Sequence, residues 1–142
     1  MELYTFDKRI KIIRMNLKHN IFSIIFLLCF PLILSAQKIV LGSCTTHDSG
    51  KYKGEMASGK PNGKGSTIFK NGDVYEGEYV KGKRQGYGIY TFADGEKYEG
   101  EWFQDQQHGK GTYYFSNNNK YVGLWFSDYQ QGHGTMYYYN QA

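Results

Sequence analysis

Large side chains alternate with small or polar ones along most of the chain after residue 51. Tyr75, Gly77 and Tyr79 occupy every second position, and Gly88 and Tyr90 follow the same spacing further on. Because successive residues of a β-strand point to opposite faces, this period of two predicts strands that carry one aromatic and glycine face. No stretch in this part of the chain shows the 3.6-residue period that would indicate an amphipathic helix.

The alternating pattern recurs every 23 residues, in four copies that span residues 52–74, 75–97, 98–120 and 121–142. A fixed period of this length indicates tandem structural units, each of which is here an antiparallel hairpin. The sequence therefore predicts an all-β fold, an elongated and twisted antiparallel meander of joined hairpins. The recurring positions, which we expect to be structural, are Tyr52, Gly54, Gly63, Gly65, Phe69, Tyr75, Gly77, Tyr79, Gly86, Gly88, Phe92, Tyr98, Gly100, Trp102, Gly109, Gly111, Phe115, Tyr121, Gly123, Trp125, Gly132 and Gly134.

Two kinds of connection separate the strands. The dipeptides Asn71-Gly72 and Asp94-Gly95 favour two-residue hairpin turns, in which both central residues take positive φ. The other connections read GKPNG, GKRQG, DQQHG and DYQQG, and their closing glycine is suited to the left-handed conformation that other residues resist.

Glycines inside strands usually mark a close approach of another group to the backbone. Gly77 is expected to face Gly88, which would leave room for an aromatic ring to lie flat over both. The aromatic residues would then form a continuous stripe along the array. The stretch Gly42 to Tyr52 resembles the second half of a copy, and residues 37–51 are expected to form an N-terminal cap strand.

Residues 1–36 have the organisation of a helical secretory signal peptide. Five basic residues precede an apolar run, Ile21 to Ala36, that ends in small residues and is shorter than a membrane-spanning helix. We therefore expect export to the periplasm, the outer envelope or the medium. An uncleaved leader that anchors the chain in the membrane is the alternative, and Met15 is an alternative start for the same leader.

Most of the net charge of +4 belongs to the leader, which holds five basic and two acidic residues. Residues 37–142 hold 12 basic and 11 acidic residues, so that part of the chain is nearly neutral. A nearly neutral array has no broad positive field to attract nucleic acid. Nucleic acid is therefore not an expected partner.

The chain has two cysteines, and Cys29 lies in the leader. Cys44 would then remain alone and without an internal disulfide. The sequence LGSC loosely resembles a lipidation motif, so lipidation at Cys44 is one alternative to a half-buried residue of the cap strand.

The anchor residues resemble those of the MORN family, the membrane occupation and recognition nexus repeat. YEGEWFQDQQHGKGTYYF, beginning at Tyr98, fits the family pattern of Y-x-G-x-W, then G, then G-x-G and an aromatic. The resemblance covers residues 52–138, nearly all of the chain after the leader, and implies stacked hairpins in an elongated twisted sheet. It also implies roles in scaffolding, membrane junctions or phosphoinositide binding. Met56 replaces an aromatic and SNNNK lacks the turn glycine, so looser packing is expected at copy one and at the turn after copy three.

Catalytic chemistry is not expected of this sequence. The G-x-G pairs lack the third glycine of a phosphate loop, and no metal-ligand spacing or nucleophile elbow occurs. Glu76, Glu78, Glu99 and Glu101 are expected on the solvent face, and His108 and His133 in exposed turns. We therefore predict a non-enzymatic protein without a cofactor.

Binding is the remaining class, and the sequence offers two candidate surfaces. Lys81, Lys83 and Arg84 form one basic turn that would suit an anionic headgroup on a membrane surface. The tyrosines of the last strand, Tyr137, Tyr138 and Tyr139, would lie on an open sheet edge that favours a protein partner or self-association. A scaffold or protein-interaction module is the first expectation. A glycan or cell-wall binder, a peripheral lipid binder and a piece of a longer array remain as alternatives.

Overall fold

Residues 37–139 form one open β-sheet in a computed structural model, which describes that part of the chain. The predicted helical leader, with the alternative start at Met15, lies outside the described residues. Nine antiparallel strands follow one another in sequence order, and no helix occurs among the described residues. The all-β meander predicted from the sequence is confirmed. The strands are β1 (Val40–Thr45), β2 (Lys51–Ala57), β3 (Lys60–Ile68), β4 (Val74–Val80), β5 (Lys83–Thr91), β6 (Lys97–Phe103), β7 (Gln106–Tyr114), β8 (Lys120–Phe126) and β9 (Tyr129–Tyr137).

In every strand pair, a glycine of one strand lies opposite a glycine of the other. The central glycine of each strand lies opposite the central glycine of the next, from Gly42 opposite Gly54 at one end to Gly123 opposite Gly134 at the other. β1 falls within the segment expected to form the cap, and it pairs with β2 in this same register. A lane of backbone without side chains therefore crosses all nine strands.

Tyrosine rings fill the space that the glycines leave. Tyr75 is fully buried, and a Cβ built on Gly77 would lie 2.5 Å from the Tyr75 hydroxyl oxygen and 2.6 Å from the Gly88 Cα. Tyr98 covers Gly100 and Gly111 in the same way. The predicted flat packing of an aromatic ring over paired glycines is confirmed, because any larger residue would overlap the ring. The buried apolar side chains of this face are Tyr52, Met56, Tyr75, Tyr79, Tyr98, Trp102, Tyr121 and Trp125.

The sequence predicts two-residue turns at the wrong connections. At Asn71-Gly72 and Asp94-Gly95 only the glycine takes positive φ, 93° and 92°. Phe69 accepts from the Gly72 N–H at 3.1 Å and donates to Asp73 at 2.9 Å. This loop has three residues, a tight turn followed by one left-handed glycine, rather than two.

Two-residue turns occur instead at the other connections. Both central residues take positive φ there, at 49° and 70° for Ser127-Asp128 and at 47° and 73° for Gln104-Asp105. The glycines that were expected to close these connections lie inside the following strand. Gly86 and Gly109 have φ of 90° and 56°, so their expected left-handed conformation is confirmed, and the strand register shifts beside each of them.

The residues at the two departures from the repeat pattern occupy the same structural positions as their equivalents in the other copies. Met56 is buried in the aromatic cluster at the position of the missing aromatic. Asn118 takes φ of 64° where other copies have a turn glycine. Asparagine tolerates the left-handed conformation better than most residues, so this turn closes without glycine.

Candidate interaction surfaces

Consecutive copies are coupled by edge-to-face aromatic pairs. The Tyr75 and Trp102 ring centroids lie 5.1 Å apart at an interplanar angle of 81°, and Tyr98 and Trp125 lie 5.2 Å apart at 79°. This geometry brings the positive edge of one ring to the negative face of the other, which adds to the burial energy. Each copy is therefore held by the tryptophan or tyrosine of the copy that follows.

Backbone groups of β5 and of β7 are bound by the hairpin that follows each strand. The Trp125 indole N–H donates to the Gly111 carbonyl at 3.4 Å. The Asp128 side chain accepts from the Gln107 N–H at 2.8 Å, and its own N–H donates to the Gln107 carbonyl at 3.2 Å. Asp105 binds both backbone groups of Arg84 in the same way, at 2.9 and 3.0 Å. The two turn aspartates thus join neighbouring copies.

A basic cleft lies near the N-terminal end of the array. Lys60, Lys81 and Lys83 line a cavity of about 310 Å³ together with Cys44 and His47. The structure brings Lys60 to the predicted residues Lys81 and Lys83, because the turns of copies one and two are adjacent. Lys81 donates its backbone N–H to the Asn62 side chain at 3.1 Å, which fixes one turn against the other.

Arg84 does not join that cleft, although the sequence placed it in the same basic turn. Its guanidinium carbon lies 4.9 Å from the centroid of Trp102 and 5.5 Å from that of Phe69, so the cation stacks inside the aromatic face. Arg84 Nε lies 3.4 Å from an oxygen of Asp105, and a second contact of 4.0 Å reaches Asp48 in the loop after β1. Arg84 therefore ties the cap loop to the third copy.

The last strand has a free outer side. All nine residues of β9 are exposed, and among residues 37–139 its outer side pairs with no strand. Tyr129 is 77% exposed and Tyr138 is 72% exposed, whereas the tyrosines of the inner copies, apart from Tyr87, are buried or half-buried. Of the predicted edge residues only Tyr137 lies on β9, which ends there, and Tyr138 and Tyr139 follow the strand.

The comparison with protein families decides what this array is. The family model for the MORN repeat matches residues 52–74, 75–97, 98–120 and 121–142. The chain belongs to the MORN repeat family. The resemblance of the anchor residues is thereby confirmed over all four copies. No curated protein matches the chain well enough to count as a relative.

Membership in the MORN family supports a repeat-based binding module. Burial raises the pKa of the Tyr52 hydroxyl to about 12 and also raises the pKa of the Tyr98 hydroxyl. Within residues 37–139 no group of three His, Cys, Asp or Glu side chains is placed to hold a metal ion. No described helix has the length and hydrophobicity to cross a membrane.

The solvent face of this MORN array has one groove in its C-terminal half. Tyr87, Val122 and Leu124 line a cavity of about 410 Å³, with Glu99 and Lys110 among its polar lining residues. Glu99 accepts from the Tyr87 hydroxyl at 3.0 Å and from Lys97 at 3.2 Å. Glu76, Glu78 and Glu101 are exposed as predicted, whereas Glu99 is half-buried by these contacts.

The two histidines lie on strands, not in turns as predicted. His133 is exposed on β9, and His108 is half-buried on β7. The His108 ring packs between Phe103 and Phe126, at centroid distances of 5.6 and 5.2 Å. The turns are shorter than the sequence suggested, so both histidines fall inside the strands that follow them.

Proposed function

We propose that this MORN protein is a non-enzymatic interaction module that binds a partner strand along the outer edge of β9. The exposure of every β9 residue is the observation that carries this proposal. An edge strand with free backbone groups is a template for strand addition. Tyrosine adds contact area at low cost in side-chain entropy, so the exposed ring of Tyr138 suits an interface.

The equivalent strand of the preceding copy, β7, indicates which backbone groups of β9 face outward. The Phe115 N–H donates to the Asn119 carbonyl at 2.9 Å across the β7–β8 turn. Backbone direction alternates along a strand, so Gly111 and Tyr113 also present their groups to β8. The equivalent residues of β9, 23 positions later, are Gly134 and Met136. We infer that their N–H and C=O groups point to solvent.

A peptide with the sequence of β8 and its turn, residues 120–128 (KYVGLWFSD), is the natural probe of this edge. β8 already pairs with the equivalent strand β7, and its Asp128 binds the backbone of Gln107 there. We expect the peptide to shift and broaden the amide NMR signals of Gly134 and Met136, and to contact Gln130 through its aspartate.

Two controls make the peptide titration specific. A peptide of scrambled sequence tests whether hydrophobicity alone explains binding. Met136→Pro removes one outward N–H, and proline is tolerated in an edge strand where the N–H faces solvent. This variant should abolish binding, while Met136→Val should keep it. Equal signal changes with the scrambled peptide, or none with the native one, would refute the proposed binding edge.

Export to the cell envelope belongs to the same proposal and depends on the leader sequence. Basic residues followed by an apolar run and the small residues Ser35 and Ala36 support a cleaved signal peptide. We expect the mature chain to begin at Gln37, and the mass of the purified protein from its native host measures this. Retention of residues 1–36 would indicate an anchor, and a lipid-sized mass increase on a chain beginning at Cys44 would indicate lipidation.

A second candidate function is the binding of an anionic lipid headgroup, and the basic cleft favours it. Lys60, Lys81 and Lys83 line one cavity there, whereas Arg84 is occupied in the aromatic face. A lysine near an anionic surface contributes about 1 kcal/mol to binding. Replacing all three by Gln should therefore reduce binding to phosphatidylcholine vesicles that contain phosphatidylglycerol.

The matched control for the cleft replaces three exposed lysines elsewhere, Lys51, Lys53 and Lys70, by Gln. The change in net charge is the same, so equal losses in both variants would mean non-specific attraction. A parallel binding measurement with inorganic phosphate shows whether the cleft recognises a lipid headgroup or the free anion. Vesicle binding that is unaffected by either triple variant would exclude the cleft as a lipid site.

A further inference from the structure

We infer that the strand that β9 accepts is β9 of a second copy, paired antiparallel about a twofold axis that passes between the two Gly134 residues. The inference rests on the proposed binding edge and names its partner. It depends on three features of the described sheet: the direction of its end strands, its glycine register and the residues that face the free edge.

Strand direction favours two β9 edges over a head-to-tail array. Nine strands alternate in direction, so β1 and β9 run the same way. A copy added by translation would place its β1 parallel to β9, in a sheet where every other pair is antiparallel. A twofold axis perpendicular to the sheet gives an antiparallel pair and keeps both aromatic faces on the same side.

The glycine lane fixes the register. All eight strand pairs place a glycine opposite a glycine, including Gly111 opposite Gly123 and Gly123 opposite Gly134. Continuation of this rule across the axis sets Gly134 opposite its own copy. The outward groups of Gly132 and Met136 then face each other, and His133 lies opposite Thr135 of the second copy.

The residue that meets Gly132 in this arrangement has a suitable side chain. In the inner copies the equivalent glycines oppose an aromatic of the next strand, as Gly86 opposes Trp102 and Gly109 opposes Trp125. Gly132 has no such opposing residue among residues 37–139, because no described strand lies beyond β9. Met136 of the second copy would lie there, and the flexible thioether fits the site of a missing ring.

The first test is the mass of the protein in solution, measured by light scattering over a range of concentrations. We expect a dimer that Met136→Pro converts to a monomer and that Met136→Val preserves. A native chain that stays monomeric at every concentration would overturn the dimer. The proposed binding edge would then still be judged by the β8 peptide, which is monitored on the monomer.

The second test is the register, measured with cysteines in a Cys44→Ser background. His133→Cys and Thr135→Cys are prepared as separate proteins, oxidised alone and then oxidised as a mixture. A disulfide-linked dimer should form in the mixture and not in either protein alone, because each cysteine faces the other position. Cross-linking of Thr135→Cys with itself would place Thr135 on the axis and contradict the glycine register. Failure of every combination in a solution dimer would contradict pairing through β9.

Discussion

Glycine acts in two different ways in this protein, and the distinction decides what each substitution does. Gly111 has an ordinary backbone conformation but lies under the ring of Tyr98. Gly95 has open space around it, but its φ of 92° suits no larger residue well. The first glycine is required by packing and the second by backbone conformation.

Gly111→Ala should therefore lower the free energy of unfolding by about 1–3 kcal/mol through overpacking. Gly95→Ala, which tests backbone strain alone, should lower it by about 1–2 kcal/mol. Urea unfolding measures both. Replacing Tyr98 by Leu should relieve most of the Gly111→Ala penalty and none of the Gly95→Ala penalty. Additive effects at Gly111 and Tyr98 would show that the ring does not require the glycine.

Arg84 shows what a residue in a repeat can do when one copy departs from the others. Its equivalents in the neighbouring copies are Pro61, Gln107 and Gln130. Arg84 alone brings a charge into the aromatic face, and its side chain is only 14% exposed. A desolvated guanidinium over aromatic rings and beside a carboxylate is held more strongly than a surface ion pair.

Arg84→Gln substitutes the residue that the next copy carries at this position. We expect a loss of about 1–2 kcal/mol in unfolding free energy, since the contacts with Trp102 and Asp105 disappear. The cap loop around Asp48 should also exchange its amide hydrogens faster. Lys83→Gln, one residue away and exposed, is the matched control and should have little effect. Equal effects of the two substitutions would contradict the placement of Arg84.

At the scale of the strand and its turns, sequence reasoning recovered the strands well and their connections poorly. The alternation of Tyr75, Gly77 and Tyr79 revealed which face is buried, because period two and side-chain size agree there. The prediction of a basic turn that includes Arg84 was wrong because β5 begins at Lys83, so the side chains of Lys83 and Arg84 point to opposite faces of the sheet. Aligning the copies would have placed Arg84 two residues before the bulge glycine Gly86, on the aromatic face.

The acidic turn residues were not recognised from the sequence, although they join the copies. Asp73 accepts from the Tyr90 hydroxyl at 2.6 Å and from the Ala93 N–H at 2.9 Å. Burial alone would raise the pKa of Asp73, but these hydrogen bonds outweigh it and lower the pKa. The Tyr113 hydroxyl and the Ser116 N–H likewise lower the pKa of Glu96. Such bonds depend on which loops meet, which single positions in a sequence do not reveal.

These depressed pKa values predict how stability depends on pH. A carboxyl group whose pKa is lower in the folded state stabilises the fold above its unfolded pKa. The ordinary values of Asp73 and Glu96 are 3.8 and 4.5. Their contribution should be complete above about pH 5.5 and should be lost as the pH falls through the folded-state values. Urea midpoints across this range should drop less steeply in Asp73→Asn with Glu96→Gln than in the native chain. Parallel curves would contradict the assignment.

At the scale of the whole array, the contacts that give stability are also those on which the proposed binding depends. The second and third copies are each completed by the next one, through the tryptophan ring, the indole N–H and the turn aspartate. In such repeat arrays stability is a sum of copies and interfaces, so the ends are the least protected. β9 lacks a following copy among the described residues. We therefore propose that the contacts that stabilise the inner strands are the contacts that the free edge of β9 offers to a partner.

The family and the sheet could be predicted from the sequence because the same pattern of anchor residues recurs in four copies. The partner could not be predicted in the same way, because the proposed binding surface consists of residue types that are structural in the inner copies and that have no neighbouring strand on the outer side of β9. Gly132 illustrates this: its equivalents Gly86 and Gly109 lie opposite Trp102 and Trp125 of the next strand, whereas no described strand lies beyond β9. The difference depends on position in the array and not on residue type.

The most direct test of the central claim is hydrogen exchange, resolved by residue, along β9. If the outer edge binds a strand, the amides of Gly134 and Met136 should become protected as protein concentration rises or as the β8 peptide is added. The amide of Thr135, which faces β8, should change little. Fast exchange at Gly134 and Met136 under all of these conditions would contradict the claim that this MORN array acts through its β9 edge.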